Sequence, residues 1–505
     1  MTNPLYDELF GKHAGQSTPF LILPDGTVWT HNAFLAKAAQ YAHVLKAMGL
    51  QTGDRVAVQV EKSPDALALY AACVQAGLVF LPLNTAYTVD ELSYFIDNSG
   101  ARAVICDPAQ RDGLAPVVAS SGAVLETLDA AGCGTLVGKA SHQPDIFDTA
   151  ARVEDDLAAF LYTSGTTGRS KGAMLTQANL LSNARTLAER WHFTDKDVLL
   201  HALPIFHTHG LFVGTNITLI AGGAMIFVSK FNVEDMIALM PQATSMMGVP
   251  TFYTRLMSDE RFTKDLTAHM RLFISGSAPL LAETHAQFEA RTGHRILERY
   301  GMTETNMNTS NPYDGERRAG TVGFPLPGVE LKITDPETGE TLPKDTVGQI
   351  EVRGPNVFKG YWQMPEKTAA ELREDGFFIT GDLGLIDDRG YVHIVGRNKD
   401  LIISGGYNIY PKEIELVLDA QPGVLESAVI GVPHADFGET VVGVVVPESG
   451  ETPDLDAIAC AATTSLARFK HPRKLVCLDA LPRNAMGKVQ KNILRDQYKD
   501  LFVPA

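Results

Sequence analysis

Tyr162–Ala173 reads YTSGTTGRSKGA. Gly165 and Gly168 let backbone N–H groups crowd an anion, the Ser and Thr hydroxyls add donors, and Lys171 adds charge, which is the chemistry of a phosphate cradle. The spacing is not that of the P-loop, because Lys171 stands between Ser170 and Gly172. A Ser/Gly linker would use the same letters, but strand-like Ala158–Tyr162 runs straight into the loop and a helical pattern is expected after it. His207 and His209 form an H-x-H pair; a zinc site needs a third ligand and a supporting shell, and none adjoins them in sequence. No Ser-His-Asp or Cys-His set is recognisable. The chemistry to expect is neutralisation of charge on phosphate or an oxyanion, which needs no protein nucleophile.

The elements that position these residues change character along the chain. Up to Thr334, short apolar runs alternate with helical patterns: Arg55–Val60, Val79–Leu83, Ala103–Cys106, Val198–Leu203, Ala224–Val228, Leu272–Ser275 and Arg295–Tyr300 read as strands. Thr88 to Glu91 is a capping box that opens a helix. Strands alternating with helices imply parallel α/β sheets. Val329–Thr334 with Gly348–Val352, and Gly384–Asp387 with Tyr391–Val395, instead flank turn-rich stretches and read as antiparallel hairpins. After Asp400 a smaller α+β unit follows: a helix from Pro411, strands Val424–Val432 and Val441–Val446, a helix from about Asp454 and a strand at Lys474–Cys477. The expected fold is α/β: a large N-terminal domain of parallel sheets with a small antiparallel β-barrel-like subdomain (1–398), then a small mobile C-terminal domain (399–505), with the boundary in the charged segment Arg397–Asp400.

A chain of 505 residues is too long for one core, which agrees with two domains. The net charge of −16 and the absence of a basic stripe argue against nucleic acid. The five cysteines stand singly, which suggests neither a disulfide framework nor a zinc site and fits a reducing compartment. Met1 to Phe10 carries Asp7 and Glu8 and lacks a basic-then-apolar pattern, against a signal peptide. The uncharged run Ala66–Leu83 is broken by Gln75, Gly77 and Pro82 and reads as a buried helix and strand, not a membrane span. A cytoplasmic protein with no membrane insertion is expected.

Five further segments follow the cradle in order: Leu203–Gly210 (LPIFHTHG), Ile274–Leu280 (ISGSAPL), Glu298–Thr305 (ERYGMTET), Thr380–Asp400 (TGDLGLIDDRGYVHIVGRNKD) and Pro482–Lys488 (PRNAMGK). Together they resemble the superfamily of acyl-CoA synthetases, peptide-synthetase adenylation domains and beetle luciferases, from about Thr27 to Leu494. The resemblance implies two half-reactions: a carboxylate attacks the α-phosphorus of ATP to give an acyl-adenylate, and a thiol, that of coenzyme A, then takes the acyl group. It implies that Thr163, Ser164, Gly165, Thr166, Thr167, Gly168 and Lys171 hold the β- and γ-phosphates, that Glu304 ligates Mg²⁺, and that Thr303 donates to the α-phosphate. Tyr300 would stack on adenine beside Gly276, Ser277 and Ala278, with Glu298, Gly301 and Met302 in the same nucleotide-binding segment. Asp382, assisted by Arg397, would bind the ribose hydroxyls. His207 would line and gate the acyl pocket, leaving His209 structural. Lys399 would be the hinge, Lys488 the lysine of adenylation, and Ser404, Gly405 and Gly406 its replacement for thioester formation beside the pantetheine. Exposed and charge-bearing, Lys488 is also a target for a lysine acetyltransferase and deacetylase.

Many relatives with bulky acids carry Gly before this Tyr, and here it is Arg299. A guanidinium there shortens the pocket and pairs well with a carboxylate. That points to a small dicarboxylic acid, and ERYGMTET with Val249–Leu256 (VPTFYTRL), which contains Arg255, resembles malonyl-CoA synthetases in particular. Malonate and Arg299, Arg255, His207 and Ser277 are the expected substrate and substrate contacts, with methylmalonate weakly discriminated. The alternative for Arg299 is that it points away and pairs with Glu298 or an aspartate. The alternative functions are ligation of acetate, propionate, butyrate, oxalate or succinate to coenzyme A, and a non-catalytic nucleotide-binding regulator. The retained Lys171, Glu304, Asp382 and Lys488 argue against the last.

Overall fold

The computed structural model describes residues 2–163, 170–404, 407–434, 437–484 and 487–502. Packing divides the chain into two compact units, Met1–Glu330 with Val352–Phe378, and Leu331–Glu351 with Ile379–Ala505.

The first unit is α/β and holds two large sheets. Strands Arg55–Gln59, Val79–Pro82, Ala103–Cys106 and Val124–Thr127 pair in parallel, and the hairpin Leu157–Thr163/Lys171–Thr176 completes a six-stranded sheet. The nine-stranded sheet has a parallel centre, Ala224–Phe227, Val198–His201, Ser245–Gly248, Leu272–Ser275 and Leu297–Met302, and antiparallel edges. The central strands are buried on both faces, as expected of continuous apolar runs such as AMIF and LFIS. Helix Pro64–Gln75 starts where Ser63 caps it and Pro64 fits its first turn, and it is buried along its whole length. It explains the uncharged run Ala66–Leu83; no helix among the described residues is long and apolar enough to cross a membrane. Thr88 and Glu91 form the reciprocal capping box of helix Val89–Ser99.

The second unit contains the smaller, mainly antiparallel sheets. Strands Glu330–Thr334, Gly348–Arg353, Phe378–Ile386 and Val392–Arg397 form a four-stranded sheet in that order. A five-stranded sheet is built on the long antiparallel pair Val424–His434 and Gly438–Pro447, with Lys474–Cys477 added in parallel. Its two faces are covered by separate apolar clusters, one around Ile414, Leu418 and Ile458 and one around Leu481 and Leu494.

One feature differs from the sequence reading. The cradle leads into strand Lys171–Thr176, not into a helix; the helix, Gln177–Arg190, begins only after Thr176 caps it. Lys171 pairs with Thr163 across this hairpin, and Gly172 is a glycine because a Cβ there would lie 2.1 Å from Phe160 Cζ. In the compact units the four-stranded sheet is grouped largely with the C-terminal residues, and strand Val392–Arg397 packs on helix Pro411–Asp419.

Candidate active site

The cradle residues Ser164, Gly165, Thr166, Thr167 and Gly168 lie outside the described residues, as do Gly405 and Gly406. The hairpin stems fix what flanks the cradle. Thr163 Oγ1 lies 3.3 Å from Glu304 Oε1. The buried Glu304 carboxylate also accepts from Tyr361 at 3.0 Å, and the same phenol lies 2.8 Å from Glu371 Oε2. Lys171 Nζ is buried 3.4 Å from Glu371 and 4.2 Å from the centre of the Tyr361 ring. Burial opposes ionisation of Glu371, but Lys367 at 2.6 Å, Tyr361 and Lys171 outweigh it and hold its carboxyl below the ordinary range. The Tyr361 phenol is raised by burial and by Glu304 and Glu371. Tyr361 and Glu371 were missed from sequence. The only hint was Lys367–Glu371 at i, i+4 spacing on helix Pro365–Glu371, which also marks any solvated helix face.

The next strand ends carry the remaining groups of the first unit. Strands Leu272–Ser275 and Leu297–Met302 run in parallel, with Ser275 opposite Glu298. Strand alternation sends Glu298 and Arg299 to opposite faces. No ion pair joins Arg299 to a carboxylate among the described residues, so the pairing alternative does not hold. Arg299 is only 4 % exposed, and its Nε and Nη2 are buried with no hydrogen-bond partner among the described residues. Its guanidinium lies against the backbone of Gly276: a Cβ there would be 2.2 Å from Arg299 Cζ. Burial pushes Arg299 down to about 9, with the Tyr253 phenol opposing. Ser277 takes φ +70°, a left-handed conformation rare outside glycine, and its hydroxyl lies 3.2 Å from His209 Nδ1. His209 Nε2 is buried and unpartnered among the described residues, and burial followed by Arg299 holds the ring well below its usual pKa, so it is neutral. His209, read from sequence as structural, is thus the ring that reaches Ser277; His207 is half-buried and accepts the His209 backbone N–H at 3.4 Å. His209 opens a π-helix, His209–Thr215, which no sequence periodicity announced, and His207 lies just before it.

Tyr300 is half-buried opposite Thr309. Gly301 is required by the strand pairing, since a Cβ would meet Asn306 O at 1.9 Å; Met302 ends the strand and Thr303 follows in the turn. Ala278 is half-buried after Ser277. Glu298 Oε1 is buried without a partner among the described residues, and burial pushes its carboxyl up to about 8. Arg255 is exposed in the last turn of helix Pro250–Met257.

In the second unit Asp382 and Arg397 are register partners, with Arg397 Nε 2.7 Å from Asp382 Oδ1. Asp382 is buried, and Arg397 half-buried. Lys399 is exposed in the short turn Asn398–Asp400, and Ser404 ends strand Ile402–Ser404. Lys488 is exposed as a residue; its loop is closed by Asn484, whose Oδ1 accepts the Lys488 N–H at 3.0 Å. A dense protein surround at its ammonium, then the positive Arg397 and Lys399, bring it down to about 8, against the pull of Asp382 and Asp400.

Glu304, with the Thr163 and Tyr361 hydroxyls on it, offers oxygen donors that suit a hard cation such as Mg²⁺, while Glu371 beside it is held by Lys171 and Lys367. Among the described residues no three His, Cys, Asp or Glu side chains form a metal-ligand group.

Parallel α/β sheets, a hydroxyl- and glycine-rich hairpin beside a buried glutamate, and a carboxylate–arginine pair on a separate small unit define an adenylate-forming enzyme of the acyl-CoA ligase class. The chain belongs to the AMP-binding enzymes: the model of that family matches residues 12–362, and that of the AMP-binding enzyme C-terminal domain matches 413–488. It is similar to the ATP-bound MatB of Rhodopseudomonas palustris, with 59 % identity and a TM-score of 0.98 over 99 % of this chain and 100 % of that one. It is 36 % identical to the malonate–CoA ligase of Arabidopsis thaliana, over 89 % of this chain and 79 % of that protein. It is equally 36 % identical to a feruloyl-CoA synthase of Amycolatopsis, over 94 % of each.

Proposed function

We propose that the acid this ligase joins to coenzyme A is a small dicarboxylate, malonate, with methylmalonate as a companion. The observation that carries the reading is Arg299: a guanidinium nine-tenths buried, with two nitrogens unpartnered among the described residues, pressed on Gly276 and next to a turn where His209 Nε2 is also unpartnered. Unmet buried donors are costly, and a carboxylate supplies what they lack. A monocarboxylate leaves them unmet. The similarity to a malonate–CoA ligase supports this choice.

Two steps follow. The reacting carboxylate attacks the α-phosphorus of ATP, pyrophosphate leaves, and the thiol of coenzyme A then attacks the acyl carbon and releases AMP. Lys488 neutralises charge developing at the α-phosphate, aided by the Thr303 hydroxyl, while Lys171 and the cradle hold the β- and γ-phosphates. Mg²⁺, held through Glu304, would neutralise phosphate charge when bound. Tyr300 stacks on the adenine; Asp382, oriented by Arg397, accepts from the ribose hydroxyls. Lys399, exposed in a short turn, is the hinge between half-reactions, and Ser404 with Gly405 and Gly406 flanks the thiol in the second. The exposed Lys488 is open to an acetyltransferase, and acetylation removes the charge that adenylation uses.

AMP release measured with and without coenzyme A over acetate, oxalate, malonate, methylmalonate, succinate, butyrate and ferulate tests the reading. Malonate should lead in kcat/KM, and AMP release should depend on coenzyme A. Preference for ferulate or butyrate would sink the dicarboxylate assignment.

A further inference from the structure

Lys62 is a buried lysine that none of these steps uses. It is 7 % exposed and makes no ion pair among the described residues. Its Nζ lies 2.7 Å from His201 Nδ1, donates to the His201 carbonyl at 2.8 Å, and sits 4.3 Å from the centre of the Phe227 ring. Lys62 follows strand Arg55–Gln59 of the six-stranded sheet, and His201 ends strand Val198–His201 of the nine-stranded sheet. One side chain therefore ties together the carboxyl ends of both sheets.

On its other side, His201 Nε2 lies 2.8 Å from the carbonyl of Gly210. A carbonyl only accepts, so Nε2 carries the hydrogen, and Nδ1 is then the acceptor that the lysine needs. Burial, and then Lys62, hold the ring down to about 3, so it stays singly protonated, and burial also pushes the Lys62 ammonium well below its usual pKa. Gly210 lies in the π-helix His209–Thr215, where Thr215 Oγ1 also donates to its carbonyl at 3.1 Å. A Cβ at Gly214 would lie 3.0 Å from the His201 ring, so the π-turn is pressed on the imidazole. π-turns are rare and depend on their surroundings. Here the surroundings include His201, whose Nε2–H tautomer is set from both sides, by the Gly210 carbonyl at Nε2 and by Lys62 donating to Nδ1.

We propose that Lys62 is a positioning residue for acid selection: through the Nε2–H tautomer of His201 it holds the Gly210 carbonyl, and so the π-turn that sets His209 against Ser277 at the acid end of the site. The proposal rests on the dicarboxylate reading. Lys62→Met keeps length and volume but removes the donor. It should lower kcat/KM for malonate by about 10- to 100-fold, the effect of a small misplacement near the reacting groups, with a smaller loss for butyrate and no change in KM for ATP. Adding His201→Gln should restore most of the malonate selectivity, because an amide N–H donates to Gly210 without a tautomer to fix. A lysine that merely joins two sheets would not be rescued that way. An unchanged malonate-to-butyrate ratio in Lys62→Met, or no rescue by His201→Gln, overturns the relay. In ¹⁵N-histidine-labelled wild-type protein, with His201 assigned by its loss in His201→Gln, the ring should be the Nε2–H tautomer at neutral pH; the other tautomer or an imidazolium overturns the proposal even if Lys62→Met does not fold. Wild-type enzyme that does not turn over malonate sinks the substrate reading and the relay with it; wild-type selectivity that is normal and unchanged in Lys62→Met sinks the relay alone.

Discussion

Arg299 and Lys488 are both cations that burial brings below their ordinary pKa, to about 9 and about 8, and they sit in different settings. Arg299 is on a central strand, 4 % exposed, immobilised against Gly276, with donors left unmet among the described residues. Lys488 is exposed as a residue on a loop, while its ammonium is enclosed, and the charges near it, Arg397, Lys399, Asp382 and Asp400, belong to its own unit. Under the proposed function, the difference separates two tasks. Choosing an acid requires a fixed charge in a dry place, where an unpaired partner is expensive. Serving one half-reaction and leaving for the other requires a charge that water accepts when it is idle.

The largest expected effect breaks the buried side of this comparison. A carboxylate left without its partner costs about 3–5 kcal/mol, so Arg299→Ala should lose about 10²–10³-fold or more in malonate kcat/KM. Butyrate should lose much less, since it has no second charge and gains room. Equal losses for both acids would mean general damage to the site and no clamp.

The exposed side should break differently. Lys488→Ala is expected to slow adenylation by about 10²–10³-fold, as for loss of one transition-state donor. Thioester formation from supplied malonyl-AMP should survive. If both half-reactions fall alike in single-turnover assays, Lys488 does not divide them.

A pH series sharpens the contrast. Lys488 is charged below about 8 and loses its proton above it, so adenylation should decline above pH 8, approaching tenfold per unit. The thioester step should not follow that decline, because thiolate increases there. Lys488→Ala should flatten the adenylation limb; a wild-type profile level up to pH 9.5 would remove Lys488 as its source.

The smallest effect is at Glu298, the strand neighbour of Arg299. Its folded-state carboxyl is raised to about 8, well above the unfolded value, so the unfolded chain ionises first. Stability is therefore lost as pH rises from about 4.5 to about 8. Glu298→Gln cannot ionise, and its unfolding midpoint should match wild type at pH 4 and exceed it by roughly 1–2 °C at pH 8 for each kcal/mol regained. A midpoint lower than wild type at pH 8 would show that Glu298 is charged and useful in the folded protein.

Much of the fold was legible. Strands Ala103–Cys106, Leu272–Ser275 and Lys474–Cys477 stand where their apolar runs placed them, and the Thr88 capping box forms as its spacing requires. These signals are local, carried by periodicity and by side chains that bond their own backbone. The element after the phosphate cradle was not legible, because KGAMLT satisfies a strand only once Leu157–Thr163 is beside it. The π-turn at His209 was invisible for a similar reason: its support is His201, and the support of His201 is Lys62, 139 residues earlier.

The sequence by itself determined the class of protein, since ordered motifs such as ERYGMTET and PRNAMGK record which chemistry a chain must perform. It also singled out Arg299 as the residue on which the proposed choice of acid rests. It left open whether that arginine is paired. Only the tertiary structure decided this, by placing Glu298 on the opposite face of the strand and bringing Gly276, from another strand end, against the guanidinium. Tyr361 with Glu371, and Lys62 with His201, were likewise decided only there. Burial and partnership are properties of contacts between residues far apart in the chain, and no local pattern encodes which two of them will meet.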